Sequence, residues 1–252
     1  MARIPIALQV YSVRKEAAAD LPGTLKAIKG AGYEGVEFAG YYERTAAELR
    51  KLIDDNGLVC AGTHTSLKTV EGDELPRTIE FNQTLGNKNL IVPGLPNERR
   101  GGPAVWRENA MLFNELAERV AQDGSGMRVG YHNHGHEFQA AGGEVPWDVF
   151  GKETRQDVIL QMDLGNAMHG GADPVPYLRK FADKALTVHL KDHDPNNDKA
   201  LLGEGKLNWD EVFAICEGSG KTEWYIVEQE SYAYPPLECV RRCRENLKKM
   251  GR

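Results

Sequence analysis

Four stretches of the chain each end in side chains that can bind a divalent cation. They read YHNHGHE (131–137), QMD (161–163), HLKD (189–192) and EQE (228–230). Carboxylates together with an imidazole suit Mn²⁺, Mg²⁺ or Co²⁺ better than thiol-seeking metals. The stretches follow apolar runs, in which an isolated carboxylate is costly to bury. The pattern therefore predicts one shared metal site.

Within these stretches we predict Glu137, Asp163, His189 and Glu228 as the metal ligands. The last three stand at the ends of successive predicted strands, so their side chains can converge on one point. Glu230 competes with Glu228, because residues two apart in a strand share a face. We expect a divalent cation at this site.

Short apolar segments alternate with amphipathic segments along the whole chain. The predicted strands are 6–12, 36–39, 58–64, 90–93, 128–134, 158–164, 185–191 and 225–230. The predicted helices are 22–32, 45–56, 74–85, 104–122, 147–150, 175–183, 209–217 and 236–250. Short strands separated by helices pair in parallel through right-handed crossovers. No change in composition divides the chain, so one domain covering 1–252 is predicted.

Eight strand–helix units predict an α/β fold, the (β/α)₈ TIM barrel. The 252 residues leave about 31 residues for each unit, and such barrels are typically about 250 residues long. A literal GxGxxG at 30–35 would favour an open dinucleotide-binding sheet. Its glycines, however, lead from a helix into a strand, which is the reverse of that site. In barrels the chemistry lies at the C-terminal ends of the strands, where the predicted ligands fall.

The overall composition limits the partners and the compartment. A content of 41% hydrophobic and 27% charged residues excludes a disordered chain. The net charge of −6 argues against nucleic-acid and anionic-membrane partners. No apolar stretch approaches the roughly 18 residues of a membrane span, and the N-terminus lacks the features of a signal peptide. Four cysteines without a CxxC pair favour a reducing compartment, so a cytoplasmic location is expected.

These motifs together resemble the xylose-isomerase-like sugar phosphate isomerases and epimerases. That group includes ketose 3-epimerases, hydroxypyruvate isomerases and inosose dehydratases. The resemblance runs from QVYSVR (9–14) to EQE (228–230), and its best-matching pieces are YHNH (131–134), MDLGN (162–166) and HLKD (189–192). It implies one Mn²⁺-type ion held by residues of strands five to eight. The epimerases carry a glutamate where this chain has His132, so the strand-five ligand is either Glu137 or His132.

The resemblance also implies the chemistry. A proton next to a sugar carbonyl is removed, and the metal stabilises the resulting enediolate. We predict Glu137 and Glu228 as the acid–base pair, or His136 as the base with Glu228 assisting. The expected activity is an isomerase or epimerase acting on a sugar, keto-sugar or inositol derivative. The alternative is a dehydratase or lyase of the inosose dehydratase or 3-keto-glycoside-eliminating type.

Further polar residues near the predicted strand ends are candidates for binding the substrate hydroxyls. These candidates are His64, Lys191, Glu37, His134 and Gln9. Such barrels often pair, so a homo-oligomer is compatible with this prediction.

Two other classes of protein share parts of the pattern. A nuclease of the endonuclease IV type uses the same barrel, but it needs three metals and a basic face for DNA. A barrel that binds carbohydrate without turnover would not need a ligand on every one of strands five to eight. Both classes are therefore less favoured than the sugar enzyme.

Overall fold

Eight parallel strands surround the axis of the molecule and close into a barrel. The computed structural model describes residues 3–252. The strands are β1 (Ile6–Gln9), β2 (Gly35–Ala39), β3 (Val59–His64), β4 (Asn89–Val92), β5 (Arg128–His132), β6 (Ile159–Asp163), β7 (Thr187–Leu190) and β8 (Trp224–Val227). Each strand pairs with its neighbours along the chain, and β8 pairs with β1. The predicted TIM barrel is confirmed.

Helices follow the strands and form the outer layer. They are α1 (Arg14–Ala19), α2 (Leu21–Ala31), α3 (Ala46–Asp55), α4 (Leu67–Val70), α5 (Leu75–Leu85), α6 (Pro103–Gln122), α7 (Pro146–Glu153), α8 (Leu164–His169), α9 (Pro174–Lys180), α10 (Trp209–Ser219) and α11 (Pro236–Lys249). The sequence pattern did not predict α1, α4 and α8, because four to six residues are too few for a helical period to be seen. Among the described residues, no helix is long and apolar enough to cross a membrane.

Local signals explain where the longer helices begin and end. Thr45 caps α3 through its side chain, which accepts from the backbone of Glu48, while the Glu48 side chain bonds back to the backbone of Thr45. This reciprocal pair satisfies two backbone donors at the helix start. Gly32 ends α2 with a φ of 98°, a left-handed conformation that glycine adopts without steric cost.

Six strands, β1 and β4 to β8, end earlier at their C-terminal ends than the sequence predicted. β5 ends at His132 rather than at 134, because the backbone N–H of His134 donates to Glu137 Oε2 at 2.9 Å instead of extending the sheet. β8 ends at Val227 rather than at 230, and the N–H of Gln229 donates to Ser12 Oγ at 3.0 Å. β7 ends at Leu190. The last polar residues of these segments therefore lie in the loops above the barrel.

Two separate regions of apolar packing surround the sheet. The larger core lies between strands and helices, where Trp106, Tyr131 and Phe150 pack edge to face at centroid distances of 5.4–5.9 Å. A small cluster of Ala7, Ala61 and Ile226 is separate from it. Because strand residues alternate between faces, the inward positions above this cluster are left to polar side chains.

Candidate metal centre and active site

Four buried side chains meet at the C-terminal ends of β5 to β8. They are His132, Asp163, His189 and Glu228, and each offers one ligand atom within 4.8 Å of the others. His189 Nδ1 lies 3.2 Å from Glu228 Oε2 and 3.7 Å from Asp163 Oδ2. His132 Nε2 lies 4.0 Å from Asp163 Oδ2. The four side chains therefore surround one point.

The Asp163 carboxylate shows that this point suits a cation. Its Oδ1 accepts from the backbone N–H of Asn166 at 2.6 Å and caps α8. Its Oδ2 is buried and has no hydrogen-bond partner among residues 3–252. A buried carboxylate oxygen without a partner is costly. Two imidazoles and two carboxylates form a donor set that fits Zn²⁺, Mn²⁺ or a similar ion.

Asn133 fixes the position of Asp163 across the end of the sheet. Its Nδ2 donates to the Asp163 carbonyl at 2.9 Å, and its Oδ1 accepts from the Asp163 backbone N–H at 2.8 Å. The side chain thus continues the pairing of β5 with β6 beyond the last strand residue. It ties the two ligand-bearing strand ends together.

Both histidines of the cluster are held through their second ring nitrogen. His189 Nε2 donates to Glu37 Oε2 at 2.6 Å, and His132 Nδ1 donates to Gln161 Oε1 at 3.0 Å. Each bond directs the other ring nitrogen at the cluster, where it could bind a cation. Burial would raise the pKa of Glu37, but the neighbouring His64 and His189 hold this pKa well below its usual range. Glu37 is therefore an ionised acceptor.

A cavity of about 520 Å³ opens beside the cluster. The residues that line it are Tyr11, Ala39, Gly40, Tyr41, His64, Thr65, Ser66, Thr69, Pro93, His132, His134, Asn166, Glu228 and Glu230. Two of the predicted substrate-binding residues, His64 and His134, are among them. Glu37 and Gln9 are fully buried below it, where Gln9 Nε2 donates to Glu37 Oε2 at 2.8 Å. Their side chains support the site from beneath rather than face the cavity.

Lys191 joins the polar residues at one side of the cavity. Its ammonium group donates to Asn166 Oδ1 at 3.0 Å, pairs with Glu230 and lies 3.9 Å from Glu228 Oε2. Burial would lower the pKa of Lys191, but the carboxylates of Asp163, Glu228 and Glu230 raise it above its usual value. The charged ammonium group balances part of the negative charge of the site.

Glu137 lies apart from the four clustered donors. Its Oε1 accepts from the Tyr131 hydroxyl at 2.6 Å, and its Oε2 accepts from the backbone N–H of His134 at 2.9 Å. Tyr131 faces the helices, whereas the adjacent His132 faces the barrel interior. Burial raises the pKa of Glu137 to about 7. The structure thus brings three of the four expected ligands together and places His132 in the fourth position.

His136 lies in the same loop after β5 and is the immediate neighbour of Glu137. Its Nε2 is 3.3 Å from Glu137 Oε1, and its ring centroid is 6.2 Å from that of Trp106. Burial lowers the pKa of His136 to about 4, so the ring is neutral. His136 is outside the set of residues that line the cavity, whereas His134 belongs to it.

Sequence reasoning did not single out Gln161, Asn166 or Tyr41 as site residues. A signal existed for Gln161, which precedes Asp163 by two residues in β6 and therefore shares its face. The position of Asn166 could have been inferred from the cap of α8, because its backbone N–H donates to Asp163 Oδ1. Tyr41 enters the cavity from the loop after β2, and no local pattern indicates where that loop runs.

Comparison with known proteins identifies the family of this chain. Residues 25–250 match the family described as xylose isomerase-like TIM barrel. The rhizopine catabolism protein MocC of Rhizobium meliloti is 25% identical, over 90% of this chain and 80% of that protein. An inosose dehydratase of Erwinia tasmaniensis is 27% identical, over 79% of each chain.

Solved structures agree with the family match. A sugar phosphate isomerase/epimerase from Parabacteroides distasonis is 26% identical, with a TM-score of 0.80 and 98% of both chains covered. The IolI protein, solved with a bound zinc atom, shares the fold at 14% identity, with a TM-score of 0.75 and coverage of 98% and 97%. The chain therefore belongs to the xylose isomerase-like TIM barrel family, whose members similar to it include dehydratases, isomerases and epimerases.

Proposed function

We propose that this protein is a metal-dependent enzyme that removes a proton next to the carbonyl group of a sugar, keto-sugar or inositol derivative. The observation that carries the proposal is the buried cluster of His132, Asp163, His189 and Glu228 beside the cavity. These four residues are the proposed ligands of one divalent cation, and Mn²⁺ is the proposed ion. The unpartnered Asp163 Oδ2 supports this assignment.

A bound divalent cation would polarise the substrate carbonyl and stabilise the negative charge that develops on its oxygen. Glu228 is the proposed base, because it is the cluster carboxylate that lines the cavity. Burial would raise its pKa, but Lys191 and His189 hold the pKa of Glu228 well below its usual range. The carboxylate is therefore ionised, and its position beside the cavity is what supports its assignment as the base.

His134 is the proposed second group in proton transfer. Its side chain is 46% exposed and lines the same cavity as Glu228, and its ring centroid is 5.4 Å from that of His132. An imidazole in this position can deliver a proton to a departing hydroxyl group. His136, one of the two alternatives for the base predicted from the sequence, lies against Glu137 and Trp106.

The lining of the cavity favours elimination over epimerisation. Of the described residues that line it, the carboxylates are Glu228 and Glu230, and Glu230 is paired with Lys191. Epimerisation by two opposed carboxylates needs a second free carboxylate, whereas elimination needs one base and one acid for the leaving group. We therefore propose a dehydratase or lyase, in line with the similarity to inosose dehydratases. An isomerase or epimerase is the second candidate, supported by the similarity to the Parabacteroides protein.

The proposal is tested by turnover in D₂O with added Mn²⁺. A panel of inososes, 3-keto-glycosides and free ketoses is followed by proton NMR. Elimination produces vinyl signals, whereas epimerisation produces deuterium at carbon and a changed ring configuration. We expect E228Q to abolish exchange of the C–H next to the carbonyl, while E115Q, at an exposed position of α6, retains it. Wild-type exchange by E228Q would contradict the assigned base.

The same assay separates the two histidines after β5. H134A should slow product formation while Mn²⁺ binding is retained, because its ring lines the cavity without belonging to the ligand cluster. H136A should leave turnover much closer to that of the wild type. A larger loss of turnover in H136A than in H134A would instead support His136 as the base.

A further inference from the structure

Gln161 occupies the centre of a hydrogen-bond network beneath the metal cluster. It is fully buried on the inner face of β6. Its Nε2 donates to Glu37 Oε1 at 2.8 Å and to Thr187 Oγ1 at 2.9 Å. Its Oε1 accepts from His132 Nδ1 at 3.0 Å and from His64 Nε2 at 2.9 Å. Both amide N–H groups and both oxygen lone pairs are thus used.

Glu37 dictates which way this amide points. The Glu37 carboxylate accepts from Gln9 Nε2 and from Gln161 Nε2, each at 2.8 Å, so the amide NH₂ of Gln161 faces Glu37 and the amide oxygen faces His132. The oxygen then requires a proton on His132 Nδ1. The lone pair of His132 is left on Nε2, the atom that lies 4.0 Å from Asp163 Oδ2.

The Gln161 amide also acts on His189, the second histidine of the cluster, through Glu37. The Glu37 carboxylate binds Gln161 through Oε1 and His189 through Oε2. Holding Oε1 in place fixes Oε2, which in turn holds His189 through Nε2 and directs its Nδ1 at the cluster. One side chain thereby acts on both imidazoles, although it is outside the cluster and the cavity lining.

We infer that Gln161 is a positioning residue that sets the tautomer and ring orientation of both histidine ligands, so that cation affinity depends on it. The inference rests on the proposed metal centre. Hydrogen bonds to the far nitrogen of a ligating histidine typically contribute about 10- to 100-fold to metal affinity. Removal of the carboxamide should have an effect of this size.

The test measures MnCl₂ binding to metal-free protein by calorimetry. Q161M keeps the chain length but removes all four hydrogen bonds, and Q161E places a second carboxylate 2.8 Å from Glu37 Oε1. Both variants should bind Mn²⁺ about 10- to 100-fold more weakly than the wild type. T187V removes one acceptor and leaves the bonds to Glu37 and His132, so its loss should be smaller. Q122M, at an exposed position of α6, should match the wild type.

A Co²⁺ spectrum separates positioning from a general structural role. The visible bands of Co²⁺ depend on its ligands and geometry, so they should change in folded Q161M or Q161E. Circular dichroism identifies which variants are folded. If Q161M does not fold, Q161E provides the comparison with the wild type. A lower unfolding midpoint with wild-type Mn²⁺ affinity and Co²⁺ bands would overturn the role of Gln161 alone. A wild-type protein that binds neither ion would overturn the metal centre itself.

Discussion

The substitution G62A should disturb the proposed metal centre from beneath. The register of β2 against β3 shifts between Val36 and Glu37, which places Gly62 next to Glu37. A Cβ atom on Gly62 would lie 2.6 Å from Glu37 Oε1. Glu37 is the carboxylate that holds His189 Nε2, so a shift of Glu37 is transmitted to a proposed ligand.

The size of the effect follows from the displaced oxygen. Ordinary van der Waals contact begins near 3.4 Å, against the 2.6 Å that alanine would impose, so Oε1 must retreat by about 0.8 Å. The same oxygen accepts the 2.8 Å bond from Gln161, and a shift of that size breaks it. A hydrogen bond to a charged group contributes about 1.5–3 kcal/mol, so G62A should lower the free energy of unfolding by about 2 kcal/mol. The Mn²⁺ affinity should fall about ten-fold.

Urea denaturation of the metal-free protein and calorimetric titration with MnCl₂ measure the two effects separately. G30A is the matched control, because nothing lies within 4 Å of a Cβ at Gly30 in α2. It should stabilise the protein by about 0.5–1 kcal/mol through its higher helix propensity. Wild-type stability and Mn²⁺ affinity in G62A would refute the coupling of Gly62 to the site through Glu37.

Three further outcomes concern the stability and local order of the protein. K184M should lower the free energy of unfolding by about 2–4 kcal/mol, because the buried Lys184 ammonium donates to two carbonyls at the end of α7 at 2.8 and 2.6 Å; unchanged urea stability would contradict this. D192A should speed hydrogen exchange in residues 193–208, whose backbone the carboxylate holds together with the Trp209 indole at 3.0 Å; unchanged exchange would assign that order to other contacts. Mn²⁺ at a hundred times its Kd should stabilise the wild type by about 2.7 kcal/mol over the chelated protein, and equal unfolding midpoints would exclude preferential binding to the folded state.

The barrel and three of the proposed ligands could be predicted from local sequence alone. Asp163 is the last residue of β6, His189 is the penultimate residue of β7, and Glu228 directly follows β8. In a parallel barrel such ends lie on one rim. Their convergence therefore follows from topology and needs no knowledge of individual contacts.

The fourth ligand position depends on contacts between residues that a strand pattern does not contain. His132 and Glu137 both follow the apolar part of β5, and both can bind a cation. The loop between them turns outward because Tyr131 and the backbone of His134 bind the Glu137 carboxylate. These bonds form within the loop itself, between residues three and six positions apart, and a strand pattern does not predict the path of that loop, so the sequence left the two candidates open.

The depth at which a side chain lies inside the barrel could not be predicted from the sequence either. Gln9 and Glu37 were expected to contact substrate, yet both are fully buried and bonded to each other at 2.8 Å. The height of a side chain above the barrel floor depends on the stagger between strands. The shift in register between β2 and β3 at Glu37 is an example, and no residue pattern indicates it.

Metal content of two variants tests the proposed centre most directly. Wild-type protein, H132Q and E137Q are purified, loaded with Mn²⁺ and compared for bound ions per chain. We expect one ion in the wild type, a large loss in H132Q, and near wild-type content in E137Q, because His132 belongs to the four-donor cluster and Glu137 is bound to Tyr131. Full occupancy in H132Q together with loss of the ion in E137Q would contradict the proposed ligand set.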